Sequence, residues 1–355
     1  MSPYFLYYFM NSVIKKFIDT HSLTVEEYES LLDSVKDGEK EILRKEAVKL
    51  ATSVYGKDIF VRGLIEFSNY CKNDCYYCGI RNGNKNCDRY RLTKEEIFGC
   101  CDIGYELGYR TFVLQSGEDL YFDDDKMVEI ISHIRNKFPD CAITISIGEK
   151  EKETYKKYFD AGANRYLLRH ETANKELYEK IHPKEMSYDH RMKCLQDLRD
   201  IGYQVGAGYM VECPHQTNHD LALDLKFIEE FKPEMCGIGP FIPHKDTIYK
   251  NEKPGTLEKT LLLLSITRII LPRVLLPATT ALGTINPLGR EKGVEHGANV
   301  IMPNLSPTEV RSKYLLYDNK ICTGDEAAEC RDCMSARMSR IGYRLVIDRG
   351  DYKKE

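Results

Sequence analysis

The stretch Ile59-Phe60-Val61-Arg62-Gly63-Leu64-Ile65-Glu66-Phe67-Ser68-Asn69-Tyr70-Cys71 is a β-rich apolar run that ends in polar residues and a cysteine. Branched and aromatic side chains suit a pleated, largely buried backbone, so a strand is expected from Ile59 to Phe67. Seven further runs repeat the pattern: Thr111 to Gln115, Ala142 to Ile147, Arg165 to Leu168, Gln204 to Met210, Met235 to Ile238, Arg273 to Ala278 and Asn299 to Met302. Helix-length amphipathic segments lie between them. Their starts are recognisable, as at Thr93 with Glu96 in the capping-box position, where both side chains satisfy free backbone N–H groups. Strands alternating with helices predict an α/β chain, and eight such units close into a full (βα)8 TIM-type barrel. An open doubly wound sheet is the alternative.

Polar residues gather where the expected strands end: Ser68-Asn69-Tyr70-Cys71, Gln115-Ser116-Gly117-Glu118, Gly148-Glu149, Arg169-His170-Glu171, Glu212-Cys213-Pro214-His215, Gly239 to His244, Thr279-Thr280 and Pro303-Asn304. Barrels carry their sites on that face, so one pocket lined by all the units is expected. Residues 1–57 read as N-terminal helices packed on the barrel, with Thr24 opening one of them. Residues 58–304 read as the barrel, and 305–355 as a C-terminal extension with a second cysteine group.

The chain has 355 residues and a formal net charge of -4 spread along its length, with no basic stripe of the kind that binds nucleic acid. The Lys-rich end, Tyr352 to Glu355, reads as a solvated tail. Met1 to Met10 is aromatic and apolar but too short to span a bilayer and lacks a basic n-region and a cleavage site. A docked helix in a soluble cytoplasmic protein, without membrane association, is expected. The thirteen cysteines lack the dense framework of a small secreted disulfide protein. They cluster at 71–78 and 322–333, which suggests metal, while Cys87, Cys100, Cys101, Cys141, Cys194, Cys213 and Cys236 are scattered and read as ordinary small buried residues.

Cys71, Cys75 and Cys78 have the spacing CxxxCxxC in the loop after the first strand. Soft thiolates suit iron–sulfur clusters, and three of them leave one iron of a 4Fe-4S cubane without a protein ligand. Such an open site can chelate the amino and carboxylate groups of S-adenosylmethionine (SAM). A structural zinc wants four ligands. The next candidate, Cys87, lies nine residues past Cys78 in a Gly/Asn-rich loop.

This triad, with the aromatic Tyr77 before its last cysteine, resembles the radical SAM superfamily. Asn69 to Arg81, Gln115 to Asp119, Tyr166 to Thr172, Gly237 to His244, Pro277 to Ala281 and Ala298 to Pro303 extend the likeness to the HydE family of FeFe-hydrogenase maturases. The resemblance implies reductive cleavage of SAM to methionine and a 5′-deoxyadenosyl radical, in assembly of the di-iron hydrogenase cofactor. It implies a cysteine-bound iron carbonyl cyanide substrate, the partner maturases HydG and HydF, and a reductant such as ferredoxin or flavodoxin.

By the same resemblance, Tyr77, Gln115, Ser116, Gly117, Glu118, Arg169, Glu171 and Arg191 contact SAM, with Ser116 where Gly is frequent. The other reading of the 115–118 loop is a tight strand-to-helix turn, and of Arg191 a surface ion pair at a helix start. Arg62, Thr144, Thr279 and Thr280 match positions that hold an anionic substrate. The alternatives are a barrel carboxylate as partner to Arg62 and a backbone-satisfied β-former at Thr144. Cys322, Cys330 and Cys333 match the place where some members carry an auxiliary iron–sulfur cluster. The family's Gly-Leu-Pro-Gly-Gln-Thr run is here Glu212-Cys213-Pro214-His215-Gln216-Thr217, a change of either the substrate cavity or the loop path. Competing readings are a related enzyme acting on an organic substrate, such as methylornithine synthase or biotin synthase, and a non-catalytic iron–sulfur scaffold.

Overall fold

The computed structural model describes residues 11–324 and 327–354, without the side chains of 327–330. The helix expected over Met1 to Met10, Glu355 and the Cys330 side chain lie outside the described residues.

The strands are β1 (Asp58–Val61), β2 (Gly63–Ser68), β3 (Thr111–Ser116), β4 (Ala142–Ser146), β5 (Arg165–Leu167), β6 (Gln204–Ala207), β7 (Met210–Val211), β8 (Met235–Cys236), β9 (Gly239–Pro240), β10 (Val300–Ile301) and β11 (Arg344–Val346). Parallel pairing runs β2-β3-β4-β5-β6-β8 without a break. Bridges Met235–Leu275, Pro277–Val300 and Leu64–Asn304 carry the ring back to β2. The sheet is thus a closed TIM-type barrel, not the open sheet.

Three expected strands come out differently. The first divides at Arg62, with β1 pairing to β10 and β2 to β3. The fifth divides into β6 and β7, which belong to different sheets. The seventh shrinks to bridges at Leu275 and Pro277, because a proline nitrogen has no hydrogen to donate to a ladder. Strand β11 was not expected. It pairs parallel to β1 and leads a tail whose Asp351 carboxylate meets the fully buried Arg165 at 2.6 Å. The solvated tail is therefore corrected: Lys353 and Lys354 are exposed, but Tyr352 packs with Tyr55, Phe60 and Val300, beneath the end of the barrel where strands begin.

Outside the barrel, Thr24 and Thr93 both form the capping boxes their sequences announce. Helix Val25–Ser34 packs on Asn218–Phe231, and Asp37–Tyr55 on Leu257–Ile270. Among the described residues no helix is long and apolar enough to cross a membrane.

Candidate active site at the mouth of the barrel

Strand β2 delivers Cys71, Cys75 and Cys78 on an irregular loop that side chains hold in shape. The Arg89 guanidinium donates to the carbonyls of Asn69, Ile80 (2.8 Å), Arg81 (2.7 Å) and Asn84. Asn69 is fully buried and donates to the Asp88 and Lys313 carbonyls while accepting from Tyr90 N–H. The loop's backbone groups are thereby paired without secondary structure.

The three thiols are each partly buried and lie near enough that their thiolates would repel one another. Burial, then mutual repulsion with Cys78 and Cys71, pushes the Cys75 thiol well up, and burial followed by repulsion from Cys71 pushes Cys78 up to about 12. Iron binding must displace those protons. Around the sulfurs stand the Glu118 N–H, 3.4 Å from Cys71 Sγ, and Met186 Sδ, 3.5 Å from Cys75 Sγ. An all-sulfur set of three fits a cubane bound at three corners.

The turn after β3 reaches this loop because residue 117 is glycine. A Cβ there would lie 2.3 Å from the Tyr70 carbonyl oxygen and 2.7 Å from Cys71 Cβ. Ser116 Oγ donates to the Gly117 carbonyl, and Gln115 Nε2 to Tyr314 Oη. The Glu118 carboxylate accepts from Glu149 N–H at 3.0 Å and meets Lys72 Nζ at 3.0 Å. The loop is a tight turn that touches the first cysteine of the triad.

Arg169 and Glu171 follow β5 and face each other at 3.2 Å. Between them His170 is buried: its Nδ1 accepts from Gly208 N–H, so Nε2 carries the hydrogen toward Asp224 Oδ1 at 3.2 Å. This inward anchor, with Glu171 in the left-handed region at φ 66°, turns the flanking side chains to the mouth. Arg191 is buried, donating to Glu149 Oε1 at 2.5 Å and the Arg169 carbonyl at 2.7 Å; it is no surface pair. Tyr77 hydroxyl donates to His182 Nε2 at 3.1 Å, because His182 Nδ1 is committed to the Tyr178 carbonyl. Burial, aided by Arg191, lowers His182 to about 3, so it stays neutral.

Arg62 and Thr144 lie deeper, both buried. Arg62 Nη1 donates to Met235 Sδ at 3.0 Å, while its Nε and Nη2, like Thr144 Oγ1, have no hydrogen-bond partner. The alternative of a barrel carboxylate bonded to Arg62 is not found among the described residues. Thr279 caps helix Thr280–Ile285, and Thr280 Oγ1 accepts from the buried Arg290. The same Arg290 Nη2 lies 3.5 Å from Cys322 Sγ. Cys322 is partly buried and Cys333 exposed. Cys330 shares the helix Ala327–Arg340 with Cys333.

Glu212 and His215 have φ of 56° and 70°, values natural to glycine. Glu212 Oε2 accepts from Thr256 N and Oγ1 at 2.6 Å, capping the start of the helix Leu257–Ile270, and His215 is exposed. Both positions thus keep backbone angles of the kind the replaced glycines favour.

The Radical SAM superfamily signature matches residues 65–228. The [FeFe] hydrogenase maturase subunit HydE of Thermotoga maritima is 45% identical over 322 residues, 90% of this chain and 92% of that one. The chain belongs to the HydE family of radical SAM enzymes. A 3-methylornithine synthase of Methanosarcina acetivorans is 29% identical over 84% of this chain and 85% of its own. The crystal structure of methylornithine synthase superposes with a TM-score of 0.82 at 27% identity, over 94% of this chain and 97% of that one.

As a HydE-family enzyme the chain uses a 4Fe-4S cluster and SAM. Sequence reading missed Arg89, His182 and Met186, and put Glu149 at the barrel mouth without a role. Arg89 was legible only as a charge in a polar loop, and His182 and Met186 reach the site from distant segments.

Proposed function

We propose that Cys71, Cys75 and Cys78 hold the 4Fe-4S cluster and that the enzyme acts in assembly of the FeFe-hydrogenase di-iron cofactor. When bound, the cluster supplies the electron that cleaves SAM to methionine and a 5′-deoxyadenosyl radical. The chain's own residues bind and orient. Arg169, Glu171 and Arg191 suit the zwitterionic methionine group, since a guanidinium fork pairs a carboxylate and a carboxylate pairs an ammonium. Tyr77, fixed by His182, and the turn Gln115 to Glu118 complete that binding face.

The observation that carries the substrate reading is the Arg62 guanidinium, buried in the barrel with two nitrogens unpartnered. An uncompensated buried charge costs several kcal/mol, about 3–5 when a partner is removed, so an anionic ligand is the natural partner. Thr144, buried with its hydroxyl unpartnered, can add a hydrogen bond, and Thr279 and Thr280 match the family's substrate positions. A cysteine-bound iron carbonyl cyanide species, delivered by HydG and attacked at its sulfur, meets those needs, with HydF as recipient. By the family resemblance, Cys322, Cys330 and Cys333 bind an auxiliary cluster apart from the radical step.

A carboxylate would satisfy Arg62 equally, which keeps the methylornithine synthase type of substrate as a second reading. One experiment separates them: anaerobically reconstituted, reduced enzyme is given the HydG product or amino acids, and 5′-deoxyadenosine is measured. Stimulation by the HydG product supports maturase action; stimulation only by an amino acid overturns it.

A further inference from the structure

Residues 81–86, the outer turn of the cysteine loop, and residues 245–250 line a concavity of about 500 Å³. Four cations line it, Arg81, Lys85, Lys245 and Lys250, with the carboxylate of Asp246 among them and those of Asp74 and Asp318 at its edge. Arg81 is paired with Asp74 at 2.8 Å. Lys85, Lys245 and Lys250 are exposed and make no ion pair among the described residues. Ile248, 66% exposed, stands among them. This is a local excess in a chain of net charge -4. A second concavity of similar size is lined by Asp123, Asp124 and Asp125 against Lys150 and Lys157.

The basic surface adjoins Cys78, the last cysteine of the triad. Arg81 N–H donates to the Cys78 carbonyl at 3.2 Å, and Asn84 Nδ2 to the Gly79 carbonyl at 2.7 Å. Behind Lys245, the buried His244 ring packs so closely on Gly79 that a Cβ there would lie 2.4 Å from Cδ2. Gly79 is bonded to Cys78, so one layer of protein separates the cationic surface from a cluster ligand. None of the residues assigned to SAM lines this concavity.

We propose that this surface receives an acidic, low-potential one-electron carrier protein, with the His244–Gly79–Cys78 contact as the short route inward. The inference rests on the radical SAM reading, in which each SAM cleavage consumes one electron. The carrier is oxidised by one electron. That electron reduces the cluster and then the SAM sulfonium, whose S–C5′ bond breaks. Opposite surface charges steer such encounters and salt screens them, and an exposed apolar residue inside a charged rim suits a small transient interface.

The test uses the complete, cluster-loaded enzyme, its K85E/K245E/K250E variant, and reduced flavodoxin as probe. Titration calorimetry is expected to give a Kd that weakens with salt for the parent. For the variant it rises at least about tenfold, or about 1.4 kcal/mol, and the salt dependence flattens. Flavodoxin-driven 5′-deoxyadenosine formation falls in parallel while dithionite-driven formation is unchanged. An unchanged Kd with unchanged flavodoxin-driven turnover overturns the proposal, as does equal loss with dithionite. Normal flavodoxin binding with lost capture of HydF or HydG also overturns it, assigning the surface to those proteins. Absence of dithionite-driven cleavage in the parent would instead defeat the radical reading.

Discussion

The Glu118 N–H points at Cys71 Sγ from 3.4 Å, joining the turn after β3 to the first cysteine of the triad. That approach depends on Gly117, where a methyl would strike both Tyr70 and Cys71. Gly117→Ala is expected to fold, because the clash falls on loops at the barrel mouth and not on the strands or helices, but to load less iron into the triad. Iron content and visible absorbance after reconstitution check this; full loading would show that the turn has no part in shaping the cysteine loop.

Asp119, next in the same turn, accepts from Ser68 Oγ (2.6 Å), Arg91 Nε (2.7 Å) and Nη2 (2.9 Å), and Tyr121 N–H (3.0 Å). Burial works to raise its pKa, but Arg91 and these hydrogen bonds outweigh burial and lower it. A carboxylate with a lowered folded pKa stabilises above its unfolded value, about 3.9, and that contribution is lost as pH falls through the folded value. Asp119→Asn is therefore expected to cost about 2 kcal/mol near neutrality, with the gap closing below about pH 4. Urea unfolding across pH 3 to 7 measures it; a pH-independent gap would mean the charge of Asp119 is not what stabilises.

The fold and the triad were legible because they are written locally. Cysteine spacing, capping boxes at Thr24 and Thr93, and the run of βα units each occupy one short window of sequence. What was not legible depends on partners far along the chain. Tyr77 meets His182, Cys75 meets Met186 and Arg165 meets Asp351, pairings that no local pattern encodes. The break of the first strand at Arg62 has the same origin: β1 is held by β10 and β11, and β2 by β3.

Arg62→Met places an apolar chain beside Met235. Removing an unpaired buried charge removes its desolvation cost, so the unfolding midpoint should not fall. SAM cleavage without substrate should persist within about twofold, while substrate-stimulated turnover drops by roughly a hundredfold, the effect of losing about 3 kcal/mol. Strong destabilisation would assign Arg62 a structural role instead.

The second cysteine group touches the barrel through Arg290, which lies between Cys322 and Thr280. Replacing Cys322, Cys330 and Cys333 together by Ala should leave SAM cleavage within about twofold of the parent, with iron lost only in excess of one 4Fe-4S cluster per chain. Abolition of cleavage in a folded, triad-loaded variant would refute their separation from the radical step.

The most direct measurement is 5′-deoxyadenosine released by Cys75→Ala after anaerobic reconstitution and dithionite reduction, beside the parent enzyme. The account predicts release by the parent and none by the variant. Undiminished release from Cys75→Ala would contradict the assignment of the triad.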